Sequence, residues 1–293
     1  MQKKVKKLLK NYVFVFLLII FANKKVFMIV FPNAKINIGL NITEKRPDGF
    51  HNIETVFYPV KLFDSLEFFP SADKKDVFKV SGIKIPDDGK KNLVERALDI
   101  LREKFDIPPL EIRLFKNIPF GAGLGGGSSD AAAFIKAANE FFRLGLNHEE
   151  LISMAKILGS DCAFFIDGVP KFATGRGDIF SDIPDMLLGH EILIIKPEFG
   201  ISTAFAYSKV KPNLAKTKLS EDYLKPVSCW KGLIKNDFEE FLFPYYPKLE
   251  ELKQKLYVSG ALYASMTGSG SALFALYDKK PVLDHEILSM RVL

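Results

Sequence analysis

Between Pro32 and Ile42 polar and apolar residues alternate, the two-residue period of a half-buried strand. That period places Lys35, Asn37 and Gly39 on one face. Further strands are predicted over residues 50–60, 66–69 and 77–80, and Glu111–Phe115 alternates in the same way. Asn92-Leu93-Val94-Glu95 has the form of a capping box, and Val94, Ala97, Leu98, Leu101 and Phe105 then recur at helical spacing. Residues 131–143 read as a helix with Phe134, Ala137, Ala138, Phe141 and Phe142 apolar, and Asn147 opens another that runs to Leu158. Glu191–Ile195 reads as a buried strand and residues 248–256 as a helix. A Gly268-Ser269-Gly270-Ser271 turn then leads into an apolar strand ending near Leu276. Residues 211–230 are polar and without a motif, which predicts a mobile connection. The tail from Asp278 shows no pattern.

One stretch departs from these periods: Pro119-Phe120-Gly121-Ala122-Gly123-Leu124-Gly125-Gly126-Gly127-Ser128-Ser129-Asp130. Five glycines in seven residues cost conformational entropy, so bare backbone is needed here. A strand precedes the stretch and an Ala-rich helix follows it, an order that suits an anion better than it suits a flexible linker. Free N–H groups and the positive end of a helix dipole then point at the same place. Ser128 and Ser129 add hydroxyls, one of which can cap the helix. No GK[ST] follows, which excludes a Walker A loop. Gly121-x-Gly123-x-x-Gly126 matches the dinucleotide fingerprint weakly, since any glycine-dense run does and no ribose-binding acid is evident about 20 residues on. Protein-kinase companion motifs are absent.

Composition changes this picture little. The 293 residues suffice for two domains, and 48% hydrophobic with 26% charged residues is ordinary for a globular chain. Cys162 and Cys229 make no disulfide framework, and four scattered histidines make no metal motif. The net charge of +6 comes from the first 27 residues, which hold seven lysines and no acid. The 41 Lys and Arg less these seven leave 34 against 35 Asp and Glu, so no nucleic-acid partner is expected. Tyr12–Ala22 is a run of eleven apolar or aromatic residues, shorter than the roughly 20 of a membrane span and within the length of a signal h-region. No small-x-small cleavage site follows it. The favoured reading is that residues 1–27 are a non-native start or an unstructured apolar extension, and that Met28 opens the first strand of the folded chain.

The glycine-rich stretch resembles the ATP loop of the GHMP small-molecule kinases, and Pro32–Ile42 and Ala264–Leu276 resemble that family's first and third motifs. Asn33-Ala34-Lys35-Ile36-Asn37, followed by Arg46-Pro47-Asp48-Gly49-Phe50-His51, is narrower. It resembles the 4-diphosphocytidyl-2-C-methyl-D-erythritol kinases of the non-mevalonate isoprenoid route. The resemblance runs from Met28 to about Leu276. It implies an α+β fold of two domains, 28–179 binding ATP and 180–293, with the active site in the cleft. It implies ATP and Mg²⁺ as cofactors, with the nucleotide on residues 119–129. Lys116 is read either as a flank of the nucleotide or as an exposed lysine.

In Gly159-Ser160-Asp161-Cys162-Ala163-Phe164-Phe165, Asp161 is expected at a buried helix-to-strand corner. By resemblance it is the catalytic base, kept ionised by Lys35. Ala163 stands where the family usually has proline. Substrate binding falls to Asn37, Phe50, His51, Thr203, Tyr207, Gly268 and Ser269, with Phe50 and Tyr207 stacking on cytosine from opposite sides and His51 bonding the base edge. A core role for Phe50 and a packed Tyr207 are the plainer alternatives. Thr203 and Tyr207 are four apart and share one helix face. Phe172–Asp178 is expected to be the turn that closes the first domain. Asn236-Asp237-Phe238-Glu239 matches a family segment and adds no chemistry. The implied reaction moves a phosphoryl group from ATP to the 2-hydroxyl of 4-(cytidine 5′-diphospho)-2-C-methyl-D-erythritol in the cytoplasm. The enzyme would be a monomer or homodimer without a membrane partner or a protein-held metal cluster. Other GHMP kinases, of the homoserine or mevalonate type, and an inactive GHMP-fold binding protein are the competing readings.

Overall fold

The computed structural model describes residues 17–20, 26–86, 89–212, 218–283 and 291–292. The chain divides into two compact units whose segments interleave along the sequence. The first comprises residues 1–34, 61–118 and 125–169, and the second residues 35–60, 119–124 and 170–293. These units cut across the linear division at 179/180, because residues 35–60 and 119–124 group with the second.

The first unit is built on a sheet of β1 (Leu17–Ile20), β2 (Val26–Val30), β5 (Ser65–Pro70), β6 (Val77–Gly82) and β7 (Leu110–Lys116), in the spatial order β1-β2-β5-β7-β6. β6 runs parallel to β7 and the remaining pairs are antiparallel. The strand expected to open at Met28 thus begins at Val26, and Leu17–Ile20 pairs beside it. The rest of the basic, apolar start lies outside the described residues. Among the described residues four helices belong to this unit: α1 (Leu93–Arg102), α2 (Gly126–Phe141), α3 (His148–Leu158) and α4 (Ser160–Asp167). Asn92 and Asn147 both form full capping boxes, with Glu95 and Glu150 reaching back to the cap backbone, as the sequence predicts for Asn92. Phe105 falls beyond the end of α1. α2 packs against the other three helices. Its Phe134 and Phe141 meet Phe68 of β5 edge-on, with ring centroids 5.0 and 5.4 Å apart.

The second unit holds two sheets. One has β3 (Asn33–Lys45), β4 (His51–Phe63), β8 (Lys171–Thr174) and β9 (Ile179–Asp182) side by side in that order. The expected turn at Phe172–Asp178 is therefore the β8–β9 hairpin. The other sheet orders β11 (Tyr263–Met266), β12 (Leu273–Tyr277), β10 (Glu191–Lys196) and β13 (Arg291–Val292), all antiparallel. The patternless tail thus contributes its edge. Among the described residues this unit also has the α-helices α5 (Thr203–Lys209), α6 (Leu219–Asp222), α7 (Asp237–Leu242) and α8 (Pro247–Val258). Leu40, Ile195, Phe238, Leu252 and Leu273 belong to one buried cluster. Residues 219–230 are not the mobile connection expected. Leu219, Tyr223 and Trp230 are buried, and Tyr223 packs against Trp230 at 5.2 Å. Apolar burial holds this stretch in place despite its polar average.

Candidate active site

β3 presents Lys35 and Asn37 on one face, as the alternation predicts, and both are buried. A buried polar group must find partners, and a buried charge more so. Lys35 Nζ donates to Asn37 Oδ1 and to the Gly123 carbonyl, the latter at 3.0 Å, and lies 5.0 Å from the centre of the Phe57 ring. Asn37 Nδ2 donates to Thr55 Oγ1 at 3.0 Å, and that hydroxyl donates onward to the Gly39 carbonyl. Thr267, just past β11, closes the network. Its hydroxyl accepts from the Asn37 N–H at 3.0 Å and donates to the Gly123 carbonyl at 3.1 Å.

The loop segment 119–124 belongs to this same unit, and its carbonyls are turned into the protein. Gly121 accepts from Ser271 N–H, Ala122 from Ala272 N–H, Gly123 from Lys35 and Thr267, and Leu124 from Lys35 N–H. Four successive carbonyl oxygens are thus engaged, which removes negative dipole ends from the side an anion would approach. Gly123 has φ of 75°, and a Cβ there would sit 2.0 Å from the Thr267 carbonyl oxygen, so only glycine fits. Gly268 lies against Gly123 and Asn37 as well, while Ser269 Oγ is 3.2 Å from Thr203 Oγ1. Phe120 is exposed.

In the first unit, α2 starts at Gly126 rather than at Ala131, with Gly125 as its left-handed cap residue. The last glycines and both serines therefore form its first turn, where backbone N–H groups lack partners within the helix. No acidic side chain occupies that turn. Gly126 lies close on Ile118, where a Cβ would meet its side chain at 2.9 Å. Ser128, in the first turn of α2, lies near the Cys162 thiol at the start of α4. Burial pushes that thiol up to about 12, so it is an inert packing group. Asp161 precedes it, half-buried in the first turn of α4, where a helix N-terminus favours a carboxylate. Its corner joins helix to helix, not helix to strand as expected, because Gly159 breaks the chain between α3 and α4.

Phe50 is 55% exposed at the start of β4, which excludes the core role. His51 stacks on Tyr207 of α5 with centroids 5.0 Å apart, and Tyr207 meets Phe238 edge-on at 4.9 Å. Burial, and then the charge of Lys45, lower the His51 pKa, which favours the neutral ring. Phe50 carries the Arg176 guanidinium 4.9 Å from its ring centre.

The model of the GHMP kinases N-terminal domain matches residues 92–169, and that of the GHMP kinases C-terminal domain matches residues 227–287. A 4-diphosphocytidyl-2-C-methyl-D-erythritol kinase of Bacteroides fragilis is 51% identical over 85% of this chain and 92% of its own length. One of Porphyromonas gingivalis is 50% identical over 88% and 94%. The chain belongs to the 4-diphosphocytidyl-2-C-methyl-D-erythritol kinase family. A crystal structure of a 4-(cytidine 5′-diphospho)-2C-methyl-D-erythritol kinase matches with a TM-score of 0.68 and 30% identity, covering 85% of this chain and 90% of that one. A homoserine kinase from Cytophaga hutchinsonii, at 20% identity and a TM-score of 0.62, shares the fold. Members of this family are ATP-dependent small-molecule kinases, and so is this chain.

Within this kinase Lys116 is buried and not the exposed lysine of the alternative reading. It is buried beneath the start of α2, its Nζ bridging Asp64 and, at 2.6 Å, Asp130. Asp64 also accepts from the N–H groups of Asn117 and Ile118. Two ionised carboxylates against one ammonium would leave an excess negative charge in the interior; burial raises Asp130 to about 8, so that it carries a proton at neutral pH. Lys116 thus braces the end of β7 against α2. Thr55 and Thr267 were not singled out from the sequence, and Asn236 was named only within a family segment. Asn236 Nδ2 donates to the carbonyls of Met266 and Gly268, both at 2.9 Å, which fixes the third motif's turn. Among the described residues no helix is long and apolar enough to cross a membrane.

Proposed function

We propose that this kinase transfers the γ-phosphoryl group of ATP to the 2-hydroxyl of 4-(cytidine 5′-diphospho)-2-C-methyl-D-erythritol, giving the 2-phosphate and ADP. The observation that carries the reading is that one unit holds both the locked Lys35–Asn37–Thr267–Gly123 network and an aromatic set of exposed Phe50 with half-buried His51 and Tyr207. Neither homoserine nor mevalonate has a base to lay on such rings.

Asp161 accepts the proton of the attacking hydroxyl. Lys35, held by Asn37 and the Gly123 carbonyl, offers its ammonium to charge developing on the transferred group, without reorganisation during the reaction. The N–H groups of the first turn of α2 bind phosphate oxygens. Neutral His51 bonds the base edge, and Thr203 and Ser269 face the substrate as a hydroxyl pair. No group of three or more His, Cys, Asp or Glu side chains able to hold a metal ion occurs among the described residues. Mg²⁺ carried on the nucleotide needs only one or two protein oxygens. The Ser129 hydroxyl, buried in the first turn of α2 without a hydrogen-bond partner, is such an oxygen and would hold the ion. Mg²⁺ there would neutralise phosphate charge. The reaction is placed in the cytoplasm, where ATP is made.

ADP release by the purified chain with ATP, Mg²⁺ and the cytidine compound, beside homoserine and mevalonate, tests the reading. Turnover confined to the cytidine compound is expected, and turnover with another alcohol alone overturns it. Asp161→Asn is expected to abolish turnover while nucleotide binding, read by equilibrium titration, stays near normal. Unchanged turnover removes Asp161 from the mechanism.

A further inference from the structure

The hairpin between β8 and β9, Gly175-Arg176-Gly177-Asp178, has no part in the chemistry above, yet it is fixed in place within the second unit. The Ile53 N–H donates to the Gly175 carbonyl at 2.7 Å, and the N–H groups of Gly177 and Asp178 both return to the Thr174 carbonyl. Gly177, at φ of 85°, packs on Ile53 and Phe57. Asp178 Oδ1 accepts from the Arg176 N–H at 2.9 Å, and its other oxygen lies 3.8 Å from the guanidinium. This rigid turn aims Arg176 at Phe50, whose own turn is fixed as well: the Phe50 N–H donates to Asp48, and its carbonyl accepts from the Arg46 N–H at 2.8 Å.

A half-exposed phenylalanine at the tip of a turn has little to hold its ring in one rotamer. A guanidinium 4.9 Å from the ring centre supplies that hold through the ring quadrupole. It also occupies one face and leaves the other for a flat ligand. An arginine serves better than a lysine, because its plane stacks as well as charges the ring.

We propose that Arg176 is a specificity-determining positioning residue for the cytidine end of the substrate: by covering one face of Phe50 it orients the ring to receive a pyrimidine on the other. The inference rests on the reading of Phe50 as a base-stacking residue.

Steady-state kinetics of Arg176→Ala, Arg176→Met, Arg176→Lys, Phe50→Ala and the Arg176→Ala/Phe50→Ala double variant test it, with the cytidine compound and ATP varied in turn. Arg176→Ala and Arg176→Met are expected to raise KM for the cytidine compound by about fivefold, the equivalent of a cation–π contact near 1 kcal/mol. KM for ATP and kcat should stay within about twofold, a split that a general loss of structure would not give. Arg176→Lys should recover part of the loss. The double variant should be no worse than Phe50→Ala alone, because Arg176 acts through that ring. If Phe50→Ala raises KM and the Ala and Met variants of Arg176 do not, or if the two losses add in full, the inference on Arg176 fails and the base site stands. If Phe50→Ala itself leaves KM unchanged, the base-site reading fails and takes the inference with it.

Discussion

Two groups of residues in the second unit are built by opposite means. Lys35, Asn37, Thr55 and Thr267 are buried and hydrogen-bonded to particular atoms, with backbone carbonyls as frequent partners. Around Phe50, His51, Tyr207 and Arg176 the contacts are ring on ring and cation on ring, and Phe50 stands half in solvent. The first arrangement holds a charge in place through directed hydrogen bonds, which is what stabilising a phosphoryl transfer requires. The second offers flat surface with modest directional demand, which suits binding a base that takes no part in bond-making. The two groups should therefore separate kinetically: damage to the buried one should appear in kcat, and damage to the aromatic one in KM for the cytidine compound.

Lys35→Met should show the largest effect, a loss of kcat of about a thousandfold or more with little change in KM, as for removal of a charge-stabilising donor. A KM effect in its place would break the comparison. Thr267→Val keeps the shape and removes one hydroxyl. It strands the Asn37 N–H and loosens the Gly123 carbonyl, so kcat should fall by about tenfold to a hundredfold, the range for a buried unpaired donor. Thr267→Ser should restore it. Phe50→Ala should raise KM by about tenfold, the value of one base–aromatic stack, with a smaller change in kcat.

The pH dependence should be smaller still. His51 has its pKa lowered by burial and by Lys45, so it is neutral above its ordinary pKa and for some distance below it. KM should be flat from neutral pH upward and rise by about threefold as acid protonates the ring, part of one hydrogen bond's worth. His51→Asn should flatten that rise. A rise toward alkaline pH would contradict the neutral-ring assignment.

The sequence was most informative where physics is local. Asn92 announces its helix because the cap and its Glu lie within one turn, and alternation along β7 places its faces correctly, whereas β3, expected to be half-buried, is buried on both faces from Ala34 to Ile42. Even Lys116 could have been assigned from parity. It continues the buried series Leu110, Ile112 and Leu114, so a charge at that place needed buried partners. What parity could not supply was their identity, since Asp64 and Asp130 come from distant parts of the chain. The early start of α2 was hidden for a different reason: glycine's poor helix propensity argues against a helix that begins inside a glycine run. Thr267 was passed over inside a Gly-Ser turn, because its worth depends on Asn37, 230 residues away. Residues 219–230 misled by their polar average, when three large side chains among them are buried.

The separation itself is tested most directly by measuring kcat and KM for the cytidine compound with Thr267→Val and Phe50→Ala in the same ADP-release assay. The account predicts that the valine variant loses kcat at nearly normal KM, and that the alanine variant gains KM at nearly normal kcat. Both variants moving the same parameter would contradict it.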